Sequence, residues 1–287
     1  MLMEKYMNKK KIVIILIIAL LILFLLYLNI ENTKLQVSNY DIYNTKIPNE
    51  FNDFKIIQIS DFHNTKFNKL TDDLVKEIKV QKPDIIVITG DLVDSRKTNI
   101  DIAISFIKRI KDIAPIYFVT GNHEAKISEY ATLKEKLENE DVIILDNKTK
   151  VLEINDAKIN LIGINDPNVS YHPYASDNEK ITSELIDANY NKTIYSILLS
   201  HRPELFDTYI DNELDLVLTG HAHGGQIRIP FIGGLISPNQ GFFPKYTSGI
   251  FEEDNTSMIV SRGIGNSILP FRINNNPELV IVRLKAK

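Results

Sequence analysis

The chain reads L-D-L-V-L-T-G-H-A-H-G-G-Q from Leu214 to Gln226, an apolar run followed by two histidines between glycines. The run contains the β-branched Val217 and predicts a short buried strand, which Gly220 ends. In turning backbone, histidines two residues apart can present both rings to neighbouring points, and the glycines let the main chain pass close by. Such a pair either ligates a metal ion or forms hydrogen bonds within the core, and the remaining histidines of the chain bear on this choice.

Four other apolar runs end in the same kinds of side chain. Together with the histidine pair, the blocks hold five of the six histidines, and they read Asp61-Phe62-His63, Gly90-Asp91, Gly121-Asn122-His123-Glu124, Ser200-His201-Arg202 and Gly220-His221-Ala222-His223. Taken singly, each has an ordinary explanation as a helix cap, a turn or a strand end. Open α/β sheets bind ligands outside the carboxyl ends of their strands, so the five blocks together favour one shared site.

The segments around these blocks alternate between apolar strands and amphipathic helices, which argues for βαβ units and a largely parallel sheet. Two sheets packed face to face, with helices outside, accommodate the order. We predict helices at residues 69–80, 100–113, 130–139 and 177–188. Strands are predicted at residues 54–60, 84–89, 116–120, 142–145, 193–199, 214–219, 226–229, 257–261 and 279–284, with a hairpin of 151–154 and 158–164 that turns at Asn155-Asp156.

The five blocks, in this order from about Lys55 to Ile229, resemble the sequence pattern of the calcineurin-like metallophosphoesterases. The chain further resembles the bacterial membrane-bound branch, whose members include phosphodiesterases and hydrolases of UDP-2,3-diacylglucosamine. The resemblance implies an α/β fold, namely a four-layer α/β/β/α metallophosphoesterase sandwich behind an N-terminal transmembrane helix. It also implies two divalent metal ions: Asp61, His63 and His223 would hold one, Asn122, His201 and His221 the other, with Asp91 as the catalytic bridge and His123 as the catalytic histidine.

The residue types support this chemistry without the family. Carboxylate oxygen and neutral imidazole nitrogen suit Mn, Fe and Zn, and two ions roughly 3.5–4 Å apart clamp the attacking and leaving oxygens of a displacement at phosphorus. Coordination also lowers the pKa of bound water, which supplies hydroxide as the nucleophile. We therefore expect hydrolysis of a phosphomonoester, phosphodiester or pyrophosphate bond, with His123 steadying the developing charge or protonating the leaving oxygen. The alternatives are a non-catalytic anchored scaffold that keeps the fold and a metal hydrolase acting on C–N bonds.

An apolar run from Ile12 to Leu28 follows a cluster of lysines (Lys5, Lys9, Lys10 and Lys11). A membrane span needs roughly 17–25 such residues. A cleaved signal peptide is the alternative, but residues 27–32 offer no small-residue cleavage site. The lysines predict a cytoplasmic amino terminus, so we expect a single-pass protein of the cell membrane with an extracytoplasmic catalytic domain. The predicted divisions are residues 1–31 for the tip and anchor, 32–52 for a linker with a weak edge-strand pattern, and 53–287 for the catalytic domain.

Composition limits the other partners. The 287 residues carry a net charge of -4 without a basic cluster after the first segment, so no nucleic acid is expected. Cysteine is absent, which excludes disulfides, thiolate metal sites and a cysteine nucleophile. The expected partners are a phosphate-ester substrate, either soluble or lipid-linked, and the membrane.

Three features lie outside the five-block pattern or have no role assigned by it. His172 is interpreted as a loop residue, and Arg202 either contacts a phosphate group or lies on the surface. Residues 229–246, rich in glycine, proline and aromatics, form either an apolar rim for a lipid-linked substrate or a loop that packs on the domain.

Overall fold

The computed structural model describes residues 2–169, 174–266 and 269–287. The α-helices in these ranges are α1 (Leu2–Thr33), α2 (Lys69–Gln81), α3 (Ile100–Ile110), α4 (Tyr130–Glu138), α5 (Asp177–Ala188) and α6 (Phe206–Asp211). The strands are β1 (Gln36–Asn44), β2 (Lys55–Ile59), β3 (Ile85–Thr89), β4 (Ile116–Val119), β5 (Ile143–Ile144), β6 (Lys148–Ile154), β7 (Ala157–Gly163), β8 (Ser196–Leu199), β9 (Leu216–Thr219), β10 (Arg228–Ile229), β11 (Gly233–Gly234), β12 (Ile236–Ser237), β13 (Gly241–Phe242), β14 (Gly249–Glu253), β15 (Thr256–Val260) and β16 (Glu278–Ala286). His172 lies outside the described residues.

The first large sheet has the strand order β1-β16-β2-β3-β4-β5. Strands β2 to β5 are parallel, whereas β16 runs antiparallel to β2 and parallel to β1. Strand β3 is buried along its whole length, as expected for an apolar strand covered on both faces. The three parallel strands β2, β3 and β4 therefore end at one edge of this sheet.

The second large sheet has the order β14-β15-β9-β8-β7-β6. Its four inner strands are parallel, and an antiparallel strand closes each side. Strands β6 and β7 form the predicted hairpin, in which Asn155 and Asp156 adopt φ of 48° and 71°. Two consecutive positive φ angles characterise the tight turn that matches strand twist.

Three apolar cores stack these elements into four layers. The middle core fills the space between the two sheets, with Val87, Leu199 and Leu218 fully buried. A second core packs α2, α3 and α4 on the outer face of the first sheet, and a third packs α5 and α6 on the second sheet. The predicted α/β/β/α sandwich is confirmed.

Helix α1 contains a 25-residue segment, Lys9–Thr33, that is long and apolar enough to cross a membrane, and an 18-residue window within it has a mean hydropathy of 3.2. Its last turns contact the sandwich: the Tyr27 hydroxyl donates to Asn274 Oδ1 at 3.0 Å, and the Asn275 N–H donates to Glu31 at 2.9 Å. The helix therefore ends against the loop that precedes β16.

The weak edge-strand pattern within residues 32–52 corresponds to β1, a nine-residue edge strand paired with β16. Its residues are mostly half-buried and polar, which weakens the strand pattern. Other details differ from the sequence predictions. Strand β14 was not predicted, because as an antiparallel edge it is largely exposed. Helix α3 ends at Ile110 rather than residue 113.

Candidate metal centre

The structure brings the predicted ligands of all five blocks to one edge of the sandwich. The Asp91 Oδ2 atom lies 3.2 Å from His201 Nε2 and 3.6 Å from His63 Nε2. Close to it, the Asp61 Oδ1 atom lies 3.2 Å from His223 Nε2. Donor atoms within 4.8 Å of one another form three overlapping groups, Asp61–His63–His223, His63–Asp91–His123 and Asp91–His201–His221.

The backbone at this edge is held in an unusual conformation. Five predicted ligands have φ in the left-handed region, namely Asp61 (52°), His63 (48°), Asp91 (54°), His221 (64°) and His223 (47°). A non-glycine residue there costs roughly 1–3 kcal/mol and persists only where the surroundings impose it. The strand ends therefore turn sharply, and each turn directs a donor side chain inward.

Asp61, His63 and His223 converge on one point. Their residues are buried, and the Nε2 atoms of the two histidines face each other at 3.1 Å. The other oxygen of Asp61, Oδ2, accepts a hydrogen bond from the Ser60 hydroxyl, and the His221 N–H is shared between both oxygens, which orients the carboxylate with Oδ1 towards His223. Two facing imidazole nitrogens and a carboxylate oxygen are the donors that a divalent ion takes.

A second group of donors lies on the other side of Asp91. The ring N–H at His201 Nδ1 donates to the Thr89 carbonyl at 2.7 Å, so Nε2 points to the site. His201 Nε2 faces Asp91 Oδ2 at 3.2 Å, and Asn122 Oδ1 is a buried acceptor without a hydrogen-bond partner among the described residues. His221 makes its contacts through Nε2, 3.4 Å from Asn239 Oδ1, which leaves Nδ1 available. Unpartnered buried acceptors are costly unless an ion or water satisfies them, so this donor set fits a metal ion.

Burial and the negative charge of Asp91 set the pKa values of the side chains at the metal centre. Burial raises the pKa of Asp61 to about 6 and lowers that of His63 to about 4. Burial alone would lower the pKa of His201, but the carboxylate of Asp91 outweighs it and raises the pKa to about 10. Without an ion, a proton on His201 compensates the Asp91 charge. A divalent cation replaces such protons when it binds.

His123 lies beside both groups and presents one defined nitrogen to them. Its Nδ1 accepts a hydrogen bond of 2.9 Å from the backbone N–H of Ser95, and the Ser95 hydroxyl lies 3.1 Å from the same atom. A backbone N–H can only donate, so the neutral ring carries its proton on Nε2, 3.9 Å from Asp91 Oδ2. Burial lowers the pKa of His123, which favours this neutral form.

Glu124 has a supporting role that sequence reasoning missed. Its buried carboxylate accepts backbone N–H hydrogen bonds from Asp91, Val93 and Gly121, at 2.8, 3.1 and 2.8 Å. It thereby fixes the loops after β3 and β4 to each other. Burial raises the pKa of the Glu124 carboxyl to about 7. The three N–H donors act in the opposite direction, because they favour the ionised form, but burial has the larger effect. The glutamate was visible in its block, but its partners are distant in sequence.

Arg202 is not on the surface, which corrects one interpretation of this residue; it lines the pocket over the centre, so contact with a phosphate group stays a prediction. Only 2% of it is exposed, and its Nε and Nη2 donate to Asp166 at 2.5 and 3.0 Å. Its Nη1 lies 3.2 Å from His221 Nε2. The arginine and Asp166 thus form a buried pair that borders the ring of a predicted ligand.

A pocket of about 560 Å³ opens over the centre. Asp91, His123 and His221 lie in its wall, with the cationic Arg96 and Lys126 on one side and Asn239 on another. Lys126 is exposed, and Arg96 pairs with Asp94 at 2.7 Å. The pocket admits a ligand with negative charge to the strand ends.

Fold and site define an α/β protein with donor groups for divalent metal ions at the carboxyl ends of its strands. Residues 54–225 match the family model of the calcineurin-like phosphoesterases, and the chain belongs to this family. It is a metal-dependent phosphoric ester hydrolase.

Known proteins align over most of the chain. It is 29% identical over 262 residues to the uncharacterized metallophosphoesterase YkuE of Bacillus subtilis (90% of this chain, 88% of the relative). It is 32% identical over 270 residues to the uncharacterized metallophosphoesterase Cj0846 of Campylobacter jejuni (92% and 67%). It is 26% identical over 239 residues to the phosphodiesterase YaeI of Escherichia coli (80% and 82%).

Proposed function

We propose that the protein is a membrane-anchored, dinuclear phosphoesterase that cleaves a phosphomonoester, phosphodiester or pyrophosphate bond. The observation that carries the proposal is the position of Asp91. Its Oδ2 atom faces His63 Nε2 on one side and His201 Nε2 on the other, at 3.6 and 3.2 Å. Its Oδ1 atom accepts the His123 N–H at 2.8 Å, which fixes the orientation of the carboxylate. One carboxylate oxygen directed at two donor groups suits a bridging ligand.

The remaining ligands divide around this bridge. Asp61, His63 and His223 would hold one divalent ion, and Asn122, His201 and His221 the other, with Mn, Fe or Zn as the ions that match the donor types. Ions bound there supply Lewis-acid polarisation of the phosphoryl oxygens and a low pKa for coordinated water. The side chains that line the pocket set the orientation of the phosphoryl group.

His123 stabilises charge on the substrate rather than transferring a proton. Since Ser95 donates to Nδ1, the proton on Nε2 is available for a hydrogen bond to a phosphoryl or leaving oxygen. A neutral imidazole is a weak acid, so the hydrogen bond is its contribution. Removal of one such donor costs typically 10²–10³ in turnover.

Helix α1 serves as a retained anchor. Hydrogen bonds from Tyr27 to Asn274, from Asn275 to Glu31 and from Asn266 to Asn32 join its last turns to the sandwich, which supports a helix that stays attached. The lysines that precede the apolar run favour a cytoplasmic amino terminus and an extracytoplasmic catalytic domain. Protease added to intact cells should then digest the domain; protection in intact cells with digestion after lysis would contradict this orientation.

Chelation tests the activity. The full chain, stripped of metal in detergent, should lose turnover of an aryl phosphodiester or monoester and regain it with manganese. Full activity without metal would refute the proposal. A chain that binds metal but cleaves C–N substrates and no phosphoester would instead support the C–N hydrolase, and a chain without any turnover would support the scaffold.

Two single changes test the roles. Asp91→Ala should abolish activity together with metal content, because both ions lose a ligand. His123→Ala should keep its metal and turn over about 10²–10³-fold more slowly, and His123→Gln, which keeps an N–H donor, should recover part of this loss. Equal metal loss in the Asp91 and His123 variants would contradict the assignment.

A further inference from the structure

The metal centre lies at the end of the sandwich where the anchor helix arrives. Strand β1 begins at Gln36, three residues after α1 ends, and pairs there with the first residue of β16, Glu278. Strand β16 is antiparallel to β2, so its beginning lies beside the end of β2, which leads to Asp61. The link is direct, because the Glu278 N–H donates to the Gly263 carbonyl and Gly263 packs on the Asp61 side chain. The strand ends that carry the ligands therefore face the membrane end of the molecule.

The helix also supports the turn that carries a predicted ligand. The backbone N–H of Asn275 donates to Glu31 of α1, while its side-chain amide donates to the carbonyls of His223 and Gln226, at 2.8 and 3.1 Å. Tyr27, about 9 Å before Thr33 along the helix, is joined to Asn274. Tyrosine at the end of an apolar span marks the membrane interface. The loop before β16 is therefore at the level of the interface.

Two short hairpins project from this region with large apolar side chains. The first, β10–β11, is joined to the same loop, because the Arg228 N–H donates to the Ile273 carbonyl. Phe231 and Ile232 at its tip are 109% and 63% exposed, and Phe242 and Phe243 of the second hairpin, β12–β13, are 71% and 61% exposed. We call these four residues the apolar lip. All four lie within residues 231–243, and the exposure of four large apolar side chains in so short a segment is costly in water.

The lip continues into the catalytic pocket. The turn of the second hairpin places Pro238 and Asn239 in the pocket wall, and Asn239 lies 3.4 Å from His221. Phe242 follows Asn239 by three residues, a reach of at most about 11 Å. From His221 to Phe251 the chain has no acidic residue and two cations, Arg228 and Lys245. Arg228 is half-buried and donates to the Gly224 carbonyl, whereas Lys245 is exposed. Apolar tips without nearby carboxylates in the chain and with an exposed lysine match a phospholipid surface.

We propose that the apolar lip inserts into the head-group region of the bilayer that α1 spans, and that the substrate is a phosphoester carried on a lipid of that bilayer. The lip would bring the membrane surface to the mouth of the pocket, so the phosphate group enters while the acyl chains stay in the bilayer. The second half of the proposal rests on the proposed phosphoesterase activity, whereas the insertion does not.

Insertion has a direct optical test, because the chain contains no tryptophan. Phe231→Trp and Phe242→Trp, in the full chain in nanodiscs of phosphatidylcholine and phosphatidylglycerol, should be quenched by brominated acyl chains. The control is Tyr43→Trp, an exposed aromatic about 23 Å along β1 from Gln36, at the opposite end of the sandwich. It should keep its fluorescence. Lip tryptophans quenched no more than the control would overturn the insertion.

Activity tests the substrate class. The wild-type chain with manganese should hydrolyse phosphatidylglycerol in these nanodiscs, or phosphatidic acid in nanodiscs in which it replaces phosphatidylglycerol. Phe231→Ser with Ile232→Ser should slow this reaction about tenfold and leave turnover of a soluble aryl phosphoester unchanged. Turnover of the soluble ester with neither lipid cleaved would overturn the lipid substrate while leaving the phosphoesterase intact. Equal loss on both substrates would overturn the role of the lip. Inactivity of the wild type on every phosphoester would instead refute the proposed function. The fluorescence test of insertion would remain valid, because it does not depend on activity.

Discussion

Replacing Asp166 with asparagine should weaken both the fold and the metal centre. Asp166 is fully buried and holds the guanidinium of Arg202 through two hydrogen bonds of 2.5 and 3.0 Å. Asparagine keeps the shape and one acceptor but removes the charge. The arginine, 2% exposed and 3.2 Å from His221, is then left with the longer contact to Glu204, 3.3 Å from its Nη1, as its counterion.

The magnitude follows from the burial of the pair. Removing one partner of a buried ion pair costs about 3–5 kcal/mol, because the other charge stays desolvated. At about 2–4 °C per kcal/mol for a domain of this size, the midpoint of thermal unfolding should fall by roughly 6–20 °C. A change beside a ligating histidine also costs about 10–100-fold in metal affinity.

The assay is thermal unfolding of the full chain in detergent, together with titration of manganese into stripped protein. Asp73→Asn serves as the control, since the Lys69–Asp73 pair is exposed and worth at most about 1 kcal/mol. The double variant Asp166→Leu with Arg202→Met, which removes both charges, should recover most of the lost stability. The reasoning would be refuted if Asp166→Asn were as stable as the Asp73→Asn control. It would also be refuted if the double variant were less stable than Asp166→Asn.

Three further changes have defined outcomes. Gly220→Ala places a Cβ atom against Ser60 Oγ and Asp61 Oδ2. Metal analysis should therefore find less bound ion, and the free energy of unfolding should fall by about 1–3 kcal/mol. An unchanged metal content would contradict this. Glu124→Gln weakens the acceptor of three backbone N–H groups, and turnover should fall by about tenfold or more while the protein stays folded, as circular dichroism would check. Burial raises the pKa of Glu184 from 4.5 to about 8, so the folded chain holds a proton that the unfolded chain releases, and stability falls as pH rises from about 5 to 8. Glu184→Gln should remove this pH dependence, and above pH 8 its free energy of unfolding should exceed that of the wild type by up to about 5 kcal/mol. If the free energies of unfolding of the two proteins changed with pH in parallel, Glu184 would not be a protonated buried acid.

The central strands and the ligand blocks were predictable because local sequence determines them. Strands β2, β3 and β4 are short, apolar and buried on both faces, so each appears as an uninterrupted run followed by its polar block. The rule that parallel strands deliver their ends to one edge then predicts the convergence of the blocks. The hairpin at Asn155-Asp156 was equally local, since both residues tolerate positive φ.

The rest depends on partners distant in sequence. Strand β1 has only a weak strand pattern because it is an edge, and its length follows from its pairing with β16, more than 200 residues away. Asp166 and Ser95 look like ordinary loop residues until the fold places them against Arg202 and His123. The proximity of the anchor to the metal centre depends on the antiparallel register of β16, which no single segment encodes.

Anomalous scattering from crystals of the manganese-loaded full chain tests the central claim most directly. The account predicts two peaks on either side of Asp91, one in contact with Asp61, His63 and His223, the other with Asn122, His201 and His221. A single peak, or peaks that do not share Asp91, would contradict it.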